Sequence, residues 1–346
     1  MARPRLLHLF NAFQVGGVER QHMMQVERFI EKYDQQCWAY IEGPLQGELD
    51  AIGVAYTVGD AATGLAMACD ADCILIRTNR YFRQMVEPLS RLKVPILYIR
   101  DYLSWYQGNG TYHDRELDRQ AYALADHTLF CGPSLKKAAG GLPVRGGEYL
   151  YNALDLNVFP MQPRTEPGRT PIRVGMLGNL VPRKNQAEAI RALRRQLTAG
   201  ICELHIGGDF RHPKFVAEVK GEAEGLPVFL HGHVADPIEF LSNIDVFLMA
   251  STKEGWPVSI MEAMACGVPV MSTDIGDIST LLGNGDTGIL LEGMDDIPAA
   301  LEALRNAETY TSFSSKGVAQ VAYCSADEAA RKVDEILTSL LAERGA

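Results

Sequence analysis

Residues 246–269 read VFLMASTKEGWPVSIMEAMACGVP. The stretch opens with an apolar run, Val246–Met249, which predicts a buried strand. A polar loop follows, and Pro257 suits the first turn of a helix, so we expect a helix to begin there and to cover Val258–Ala265. The apolar run Val268–Met271 predicts the next strand. A strand, a loop, a helix and a second strand in this order predict a βαβ unit in a parallel sheet.

The same alternation of short apolar runs and amphipathic segments extends along nearly the whole chain. Further strands are predicted in the second half at Ile172–Leu177, Cys202–Ile206, Val228–Leu230 and Gly288–Leu291, and helices at Ala187–Leu197, Lys214–Glu224, Pro237–Leu241, Asp296–Arg305 and Ala326–Leu341. Strands are predicted in the first half at Leu6–Phe10, Cys37–Ile41, Val54–Val58, Cys73–Ile76, Ile96–Ile99 and Thr128–Cys131, and helices at Val18–Glu31, Phe82–Leu92 and Asp114–Ala125.

One segment interrupts the alternation. Residues 159–171 contain four prolines in thirteen positions and show no periodicity, which predicts a linker. We therefore expect an α/β protein of two doubly wound domains, residues 1–162 and 171–325, with residues 326–346 forming a helix that packs back on the first domain. Ligands of such sheets bind outside the carboxyl ends of the strands, so the default site is a cleft between the domains.

Composition narrows the function classes. The 346 residues include 33 Lys and Arg against 43 Asp and Glu, a net charge of −10, which argues against a nucleic-acid partner. No window approaches the roughly 18 apolar residues of a membrane span, and the amino terminus shows no signal-peptide pattern. The seven cysteines are scattered without a C-x-x-C pair, so we expect neither a zinc site nor a disulfide framework, and a cytoplasmic location.

Two glycine-containing loops follow predicted strands. Gly16 and Gly17 open a helix, where backbone N–H groups can approach an anion, although a plain tight turn explains them equally well. Gly178 follows the first strand of the second domain, and Arg183 and Lys184 come next in the same loop, where they could neutralise a diphosphate. A solvated Arg-Lys pair is the plainer alternative.

The loop and helix of residues 246–269 carry two carboxylates. Glu254 falls in the loop, and Glu262 about one and a half turns inside the helix. One carboxylate could bind sugar hydroxyls and the other a ribose diol, with backbone amides on a phosphate. A helix-dipole partner at Glu254 and an exposed helix residue at Glu262 are the alternatives for each residue alone.

Here the sequence resembles the retaining family 4 glycosyltransferases of GT-B fold, two Rossmann-like domains with a cleft between them and a crossover helix at the C-terminus. The resemblance is carried by Glu254-Gly255, six residues, Glu262, and then AMACGVPV at 263–270. Three further segments resemble family motifs in the same order, Gly16-Gly17-Val18-Glu19, residues 151–160 (YNALDLNVFP) and residues 285–291 (GDTGILL).

The resemblance implies transfer of a sugar from a nucleotide sugar, such as a UDP- or GDP-sugar, to a glycan, lipid-linked or small-molecule acceptor in polysaccharide or glycoconjugate biosynthesis. It implies retention of configuration, by front-face attack, without a cofactor or metal. Glu254 would contact the donor sugar, Glu262 the ribose, Lys184 with Arg183 the diphosphate, and the Gly16 and Gly17 amides the departing phosphate. The other donor-binding residues are expected to be Gly178, Asn179, Gly255, Trp256, Pro257, Val258 and His233.

Three positions depart from the family pattern. Asn179 stands where an arginine is usual, and Arg183 could supply that charge. Arg100 or Asp101 stands where many members have a histidine, and both are expected on the acceptor side. The glycine-glutamate pattern that is usual after Gly276 is replaced by Asp277-Ile278-Ser279-Thr280. These departures keep open a non-catalytic nucleotide-sugar-binding protein, or a sugar-nucleotide epimerase of the same fold.

Two further patterns have competing interpretations. His231-Gly232-His233 could offer two metal ligands, but a loop histidine near the nucleotide base is favoured. Residues 77–100 hold six basic side chains and one acid, a local charge of +5. This stretch could touch an anionic acceptor or a membrane surface, while a solvated helix face is the plainer alternative.

Overall fold

The computed structural model describes residues 2–77, 82–101, 105–107, 110–112, 115–167 and 170–345. The chain forms two compact units. The first contains the residues up to Ala153 together with the segment from Ala326 onward, and the second is Leu154–Ser325. The change of unit after Ala153 comes before the proline-rich segment, nearer the amino terminus than the expected boundary at residue 162.

The first unit is built on a seven-stranded parallel sheet in the order β3-β2-β1-β4-β5-β8-β9. Two short additional strands, β6 and β7, pair antiparallel with each other. The strands are β1 Arg5–Leu9, β2 Asp34–Ala39, β3 Ala55–Val58, β4 Cys73–Arg77, β5 Ile96–Arg100, β6 Trp105–Gln107, β7 Gly110–Tyr112, β8 His127–Phe130 and β9 Gly146–Tyr149. The helices are α1 Gly17–Arg28, α2 Leu45–Ala51, α3 Ala61–Asp70, α4 Phe82–Leu89, α5 Arg115–Leu124 and α6 Pro133–Ala138.

The second unit is built on a six-stranded parallel sheet in the order β12-β11-β10-β13-β14-β15. Its strands are β10 Ile172–Leu177, β11 Cys202–Gly207, β12 Val228–Gly232, β13 Val246–Met249, β14 Val270–Thr273 and β15 Ile289–Leu291. Its helices are α7 Gln186–Thr198, α8 Pro213–Ala223, α9 Pro237–Ser242, α10 Val258–Ala265, α11 Ile278–Leu281, α12 Ile297–Ala303 and α13 Ala307–Val321, and α14 Ala326–Gly345 belongs to the first unit.

This strand order confirms the predicted pair of doubly wound α/β domains. In the second unit the chain moves outward from β10 to β11 and β12, then returns to the other side of β10 at β13. The carboxyl ends of β10 and β13 therefore flank the switch point, where open α/β sheets bind ligands. No helix among the described residues combines the length and the apolar character that crossing a bilayer requires.

Helix α14 completes the core of the first unit. Its side chains Ala330, Val333, Leu337 and Leu340 are buried in one cluster with residues of β1, β4 and β5. Fully burying an apolar side chain contributes about 1.5–3 kcal/mol, so this stripe accounts for the position of the helix. The Nζ atom of Lys332 also donates to the carbonyl oxygen of Tyr149 over 2.7 Å.

The proline-rich segment is fixed to the second unit through Arg164. The guanidinium group donates to the carbonyl oxygens of Leu241, Ile244 and Cys266 at 3.0, 2.7 and 3.1 Å. Leu241 and Cys266 are at or just beyond the ends of α9 and α10, where helix carbonyls lack partners within the helix. The segment is therefore part of the second unit.

Candidate functional site

Glycines bring two loops together at the carboxyl ends of β10 and β11. Gly178 has φ +152°, and a Cβ atom added to it would lie 3.0 Å from Cε of Lys184. Gly208 has φ +144°, and a Cβ there would lie 2.1 Å from the carbonyl oxygen of Gly178. Side chains at these two positions would push apart the two loops and the lysine between them.

Lys184, Arg183 and Glu254 form the charged centre of this edge. The two cations follow β10 in a 3₁₀ turn, Pro182–Lys184. Nζ of Lys184 lies 2.7 Å from Oε1 of Glu254, and a guanidinium nitrogen of Arg183 lies 3.0 Å from the same oxygen. Glu254 lies in the loop after β13 and the two cations in the loop after β10, as the sequence predicts, and the structure brings the three side chains together.

The two cations differ in exposure. The Lys184 side chain is 14% exposed and that of Arg183 is 51% exposed. Burial lowers the pKa of Lys184, the Glu254 carboxylate opposes this shift, and the charge of Arg183 adds to it. A second anion bound here would reduce the electrostatic repulsion between Lys184 and Arg183, which share one carboxylate oxygen.

The loop after β13 leads from Glu254 into α10. Pro257 is the N-cap residue of α10, with φ −73° and ψ 119°, and the helix begins at Val258, the first residue of the predicted helical range. Trp256 is only 3% exposed, and its indole lies against the thiol of Cys324. Pro257 is also buried. Trp256 therefore anchors the loop, while its neighbours Gly255 and Val258 are partly exposed.

Glu262 is a partly buried carboxylate on α10. Burial raises its pKa to about 7. No hydrogen bond to this carboxylate is present in the parts of the chain that the structure describes. The alternative that Glu262 is simply an exposed helix residue is therefore ruled out. Its carboxylate can accept a hydrogen bond from a bound hydroxyl group.

A row of polar side chains runs along the ends of β10, β11 and β12. The backbone N–H of Asp209 donates to Oδ1 of Asn179 over 3.3 Å. The Asp209 carboxylate accepts hydrogen bonds from Nδ1 of His233 at 3.0 Å and from Arg211 at 2.9 Å. Arg211 and His233 hold the pKa of Asp209 below its usual value, with burial opposing them. Asn179 thus acts as a hydrogen-bond acceptor for the neighbouring loop, a task that an arginine side chain could not perform.

Asp209 was missed from the sequence. It directly follows Gly207-Gly208 at the end of a predicted strand, a position that could have indicated a site residue.

In the first unit, the first turn of α1 carries a carboxylate close to the glycines that open the helix. Gly16 is the N-cap of α1, with extended backbone, and no atom lies within 4 Å of a Cβ added to Gly17. An added Cβ at Gly16 would come 2.4 Å from Oε2 of Glu19, so this carboxylate folds back toward the glycine. Burial raises the pKa of Glu19, and nearby Asp101 adds to the shift.

The two residues expected on the acceptor side are inside the first unit. Arg100 is 1% exposed and donates to Asp118 over 2.7 Å and to the Tyr98 hydroxyl over 3.1 Å. Asp101 is paired with Arg77 through two hydrogen bonds, one of them 3.2 Å from Nε. Both residues stabilise the interior, and this burial does not favour direct contact with an acceptor.

The basic stretch 77–100 is less basic at the surface than its sequence indicates. Arg77 and Arg100 are buried in ion pairs, and Arg91 pairs with Glu87. Arg80 and the side chain of Arg83 lie outside the described residues. Among the remaining basic side chains of this stretch, exposed Lys93 would be available to an anionic surface.

Comparison with known proteins finds a family model that matches most of the second unit. Residues 171–307 match the family model described as "Glycosyl transferases group 1". A curated relative from Bacillus anthracis, N-acetyl-alpha-D-glucosaminyl L-malate synthase, is 40% identical over 67 residues, which is 19% of this chain and 18% of the relative. The capsular polysaccharide biosynthesis glycosyltransferase CapM from Staphylococcus aureus is 40% identical over 85 residues, 24% of this chain and 22% of CapM. The matched segments thus span less than a quarter of each relative.

A solved structure extends the likeness in fold to nearly the whole chain. The crystal structure of Anabaena HepE in complex with UDP and glucose has a TM-score of 0.81 and 18% identity, and the match covers 97% of this chain and 100% of HepE. Together with the two parallel sheets, this likeness shows the GT-B fold that the resemblance implied.

Proposed function

We propose that this chain, whose residues 171–307 match the group 1 glycosyltransferase model, transfers a sugar from a nucleoside-diphosphate sugar to an acceptor. The observation that carries the proposal is the cluster of Lys184, Arg183 and Glu254 at the switch point of the second sheet. Two cations around one carboxylate offer charge to a diphosphate and an oxygen acceptor to a sugar hydroxyl.

The proposed donor lies along the carboxyl edge of the second sheet. Lys184 and Arg183 neutralise the diphosphate, and Arg183, being half exposed, replaces the charge that Asn179 lacks. Glu254 accepts a hydrogen bond from the donor sugar, and Glu262 accepts from the ribose diol. His233, held by Asp209, lies toward the base. The relative HepE was crystallised with UDP, UDP-glucose and glucose, which supports a nucleotide-sugar donor here.

The proposed reaction proceeds with retention and without a metal. The acceptor hydroxyl attacks the anomeric carbon from the face that the diphosphate leaves, the C–O bond to the diphosphate breaks, and a diphosphate oxygen takes the proton. No carboxylate nucleophile is needed, in contrast to retaining hydrolases with two opposed carboxyl groups. Lys184 and Arg183 stabilise the charge that develops on the departing oxygen.

For the acceptor we propose a glycan, lipid-linked or small-molecule hydroxyl compound bound against the first unit. The name of CapM supports a place in polysaccharide or glycoconjugate biosynthesis. We further propose that the protein works in the cytoplasm, where six buried cysteines would remain reduced. Peripheral membrane contact has weaker support, because three of the basic side chains that the structure describes in this stretch, Arg77, Arg91 and Arg100, are engaged in ion pairs.

The test is donor turnover by single variants. Glu254→Ala should reduce nucleotide-sugar turnover by at least about a hundredfold, and Glu262→Ala by about tenfold. Each variant removes a carboxylate that accepts a hydrogen bond from the donor in the proposed complex. Glu302→Ala, an exposed glutamate on α12, is the matched control and should turn over donor at the wild-type rate. Unchanged turnover in both site variants would refute the assignment of the site, and turnover that needs added Mg²⁺ would refute metal independence.

A second candidate is a nucleotide-sugar-binding protein without transferase activity. Asn179, whose Oδ1 accepts from the backbone of Asp209 and whose neutral amide brings no positive charge to a phosphate, favours it. Calorimetric binding of donor without transfer or hydrolysis over a broad acceptor panel would select this candidate. An epimerase of the same fold would instead convert the donor sugar with no acceptor present.

A further inference from the structure

Residues 273–277, the end of β14 and the loop that follows it, form hydrogen bonds to the main chain on either side of Glu254. Oγ1 of Thr273 donates to the carbonyl oxygen of Ser251 over 2.7 Å. On the other side, the backbone N–H of Asp277 donates to the carbonyl oxygen of Gly255 over 3.4 Å. Both contacts come from residues 273–277, a segment that the donor motif itself does not contain.

Between these two hydrogen bonds, Gly276 lies directly against Glu254. Gly276 has φ +60°, and a Cβ atom added to it would lie 2.2 Å from the carbonyl oxygen of Glu254 and 3.1 Å from its carbonyl carbon. Real Cβ atoms essentially never approach another heavy atom within 3.0 Å. Because the obstacle is backbone rather than a flexible side chain, any larger residue at position 276 must displace the main chain of Glu254.

The position of this main chain decides where the Glu254 carboxylate lies. Its Oε1 atom contacts Lys184 at 2.7 Å and Arg183 at 3.0 Å, so both cations depend on one oxygen. A shift of the loop by an ångström would take the carboxylate out of hydrogen-bond range of at least one of them.

We propose that Gly276 and Thr273 are positioning residues that act through Glu254 to place its carboxylate on the donor sugar. The inference rests on the proposed function, in which Glu254 contacts the sugar and not the nucleotide. The loop therefore governs how strongly the protein prefers the complete sugar nucleotide to the bare nucleoside diphosphate.

The measurement is the ratio of the affinity for the preferred sugar nucleotide to the affinity for the matching nucleoside diphosphate. Calorimetry over UDP, GDP and their common sugars first identifies the preferred donor of the wild-type chain. Gly276→Ala should reduce the ratio by about tenfold or more, as misplacement of a contact group by an ångström can, while the affinity for the bare diphosphate changes by less than about threefold. Gly283→Ala is the matched control.

The control shares the backbone strain but not the close contact. Gly283 has φ +57°, and an added Cβ would lie 3.5 Å from the nearest atom, the Cγ2 of Thr287, which is ordinary contact. Both alanine variants should therefore lower the melting temperature through strain, and only Gly276→Ala should change the ratio. Equal ratios in the two variants would overturn the proposal.

Thr273 provides an independent variant should Gly276→Ala fail to fold. Thr273→Val keeps the shape and removes the hydroxyl that donates to Ser251, so the affinity ratio should fall. Thr273→Ser keeps the hydroxyl and should restore the ratio. A reduced affinity ratio in both Thr273 variants would show that side-chain packing, and not the hydroxyl, sets the ratio. An unchanged ratio in Thr273→Val would contradict the role of the hydroxyl.

A double-mutant cycle separates action through Glu254 from a general structural effect. Glu254→Gln alone should lower the ratio, and adding Gly276→Ala should lower it no further, because the group being positioned is already lost. Additive losses would overturn the proposal. If the wild-type chain binds no nucleoside diphosphate and no sugar nucleotide, the proposed function itself fails, an outcome distinct from unchanged ratios in a protein that binds donor.

Discussion

The carboxyl edges of the two sheets carry similar charged residues in different surroundings. In the second unit, Arg183 and Lys184 share the Glu254 carboxylate, and the Arg183 side chain is 51% exposed. In the first unit, Arg77 is paired with Asp101, and each side chain is only 2% exposed. The buried guanidinium of Arg77 stabilises its own unit. Arg183 is half exposed and shares its carboxylate with a second cation, so it can still bind an incoming anion.

The two units also bury titratable groups of opposite kind. In the first unit, Nδ1 of His8 lies 3.1 Å from Nε2 of His22, and Nε2 of His8 lies 2.8 Å from Oε1 of Gln35. In the second unit, the Glu262 carboxylate is partly buried, and its pKa is raised. Burial keeps the imidazoles neutral and favours the protonated carboxyl group, so the two regions should respond to pH in opposite directions.

The largest expected effect breaks the buried pair of the first unit. Arg77→Ala removes the guanidinium group that pairs with the buried Asp101 carboxylate and should lower the free energy of unfolding by about 3–5 kcal/mol. Arg183→Ala removes a half-exposed cation and should change it by less than about 1 kcal/mol. Denaturant unfolding measures both. Similar small losses in the two variants would contradict the structural role of the Arg77–Asp101 pair.

The next effect concerns acid. Burial lowers the pKa of His8 to about 4 and that of His22 well below its usual value, with His8 and Arg77 adding to the second shift. In the folded protein the pKa of each histidine lies below its unfolded value. The stabilisation that the neutral imidazoles provide is therefore present above about pH 6.5 and is lost as pH falls toward 4. For His8 alone, the loss in the free energy of unfolding is on the order of 3 kcal/mol.

The check is the pH dependence of unfolding together with the imidazole signals. The two buried histidines should show no change in chemical shift between pH 8 and about 5, because they stay neutral there. A normal titration of both near pH 6.5 would contradict the buried network.

The smallest expected effect has the opposite pH dependence. Burial raises the pKa of Glu262 to about 7, above its unfolded value, so the folded state binds more protons than the unfolded state between about pH 4.5 and 7. Stability is therefore lost as pH rises through this window. Because the Glu262 side chain is only partly buried, solvent screening offsets part of this cost, and Glu262→Gln should be about 1–2 kcal/mol more stable than the wild type at pH 8 and equally stable near pH 4. A destabilised variant at pH 8 would mean that the ionised carboxylate has a partner.

Much of this architecture could be predicted from the sequence because apolar runs mark strands in a parallel sheet. The predicted helix Val258–Ala265 and the strands Ile172–Leu177 and Val246–Met249 have the observed bounds. Helix α13 was missed, although buried Tyr310, Ser314, Gly317 and Val321 recur at helical spacing. Two of these four are a serine and a glycine, which allow close packing against α10 but carry no apolar signal.

The candidate site could be predicted less completely, since ion-pair partners are set by the tertiary fold. Arg100 was expected on the acceptor side because it or Asp101 stands where many members of the resembling family have a histidine. Its partner Asp118 lies on α5, and no spacing rule connects the two. The grouping of Lys184 with Glu254 likewise required the adjacency of β10 and β13, which the order of elements alone does not specify. Glycine-dependent contacts, such as Gly276 against Glu254, are visible only in three dimensions.

The most direct test of the donor site is calorimetric titration of UDP and GDP into the wild-type chain, Lys184→Met and Arg77→Met, each checked for folding. We expect the wild type to bind at least one nucleotide, and Lys184→Met to lose about 2 kcal/mol of binding free energy, roughly thirtyfold in Kd, by removal of one charged contact. Arg77→Met should retain the wild-type affinity in its folded fraction. Equal affinities of the wild type and Lys184→Met, or no binding by the wild type, would contradict a nucleotide-sugar site at the carboxyl edge of the second sheet.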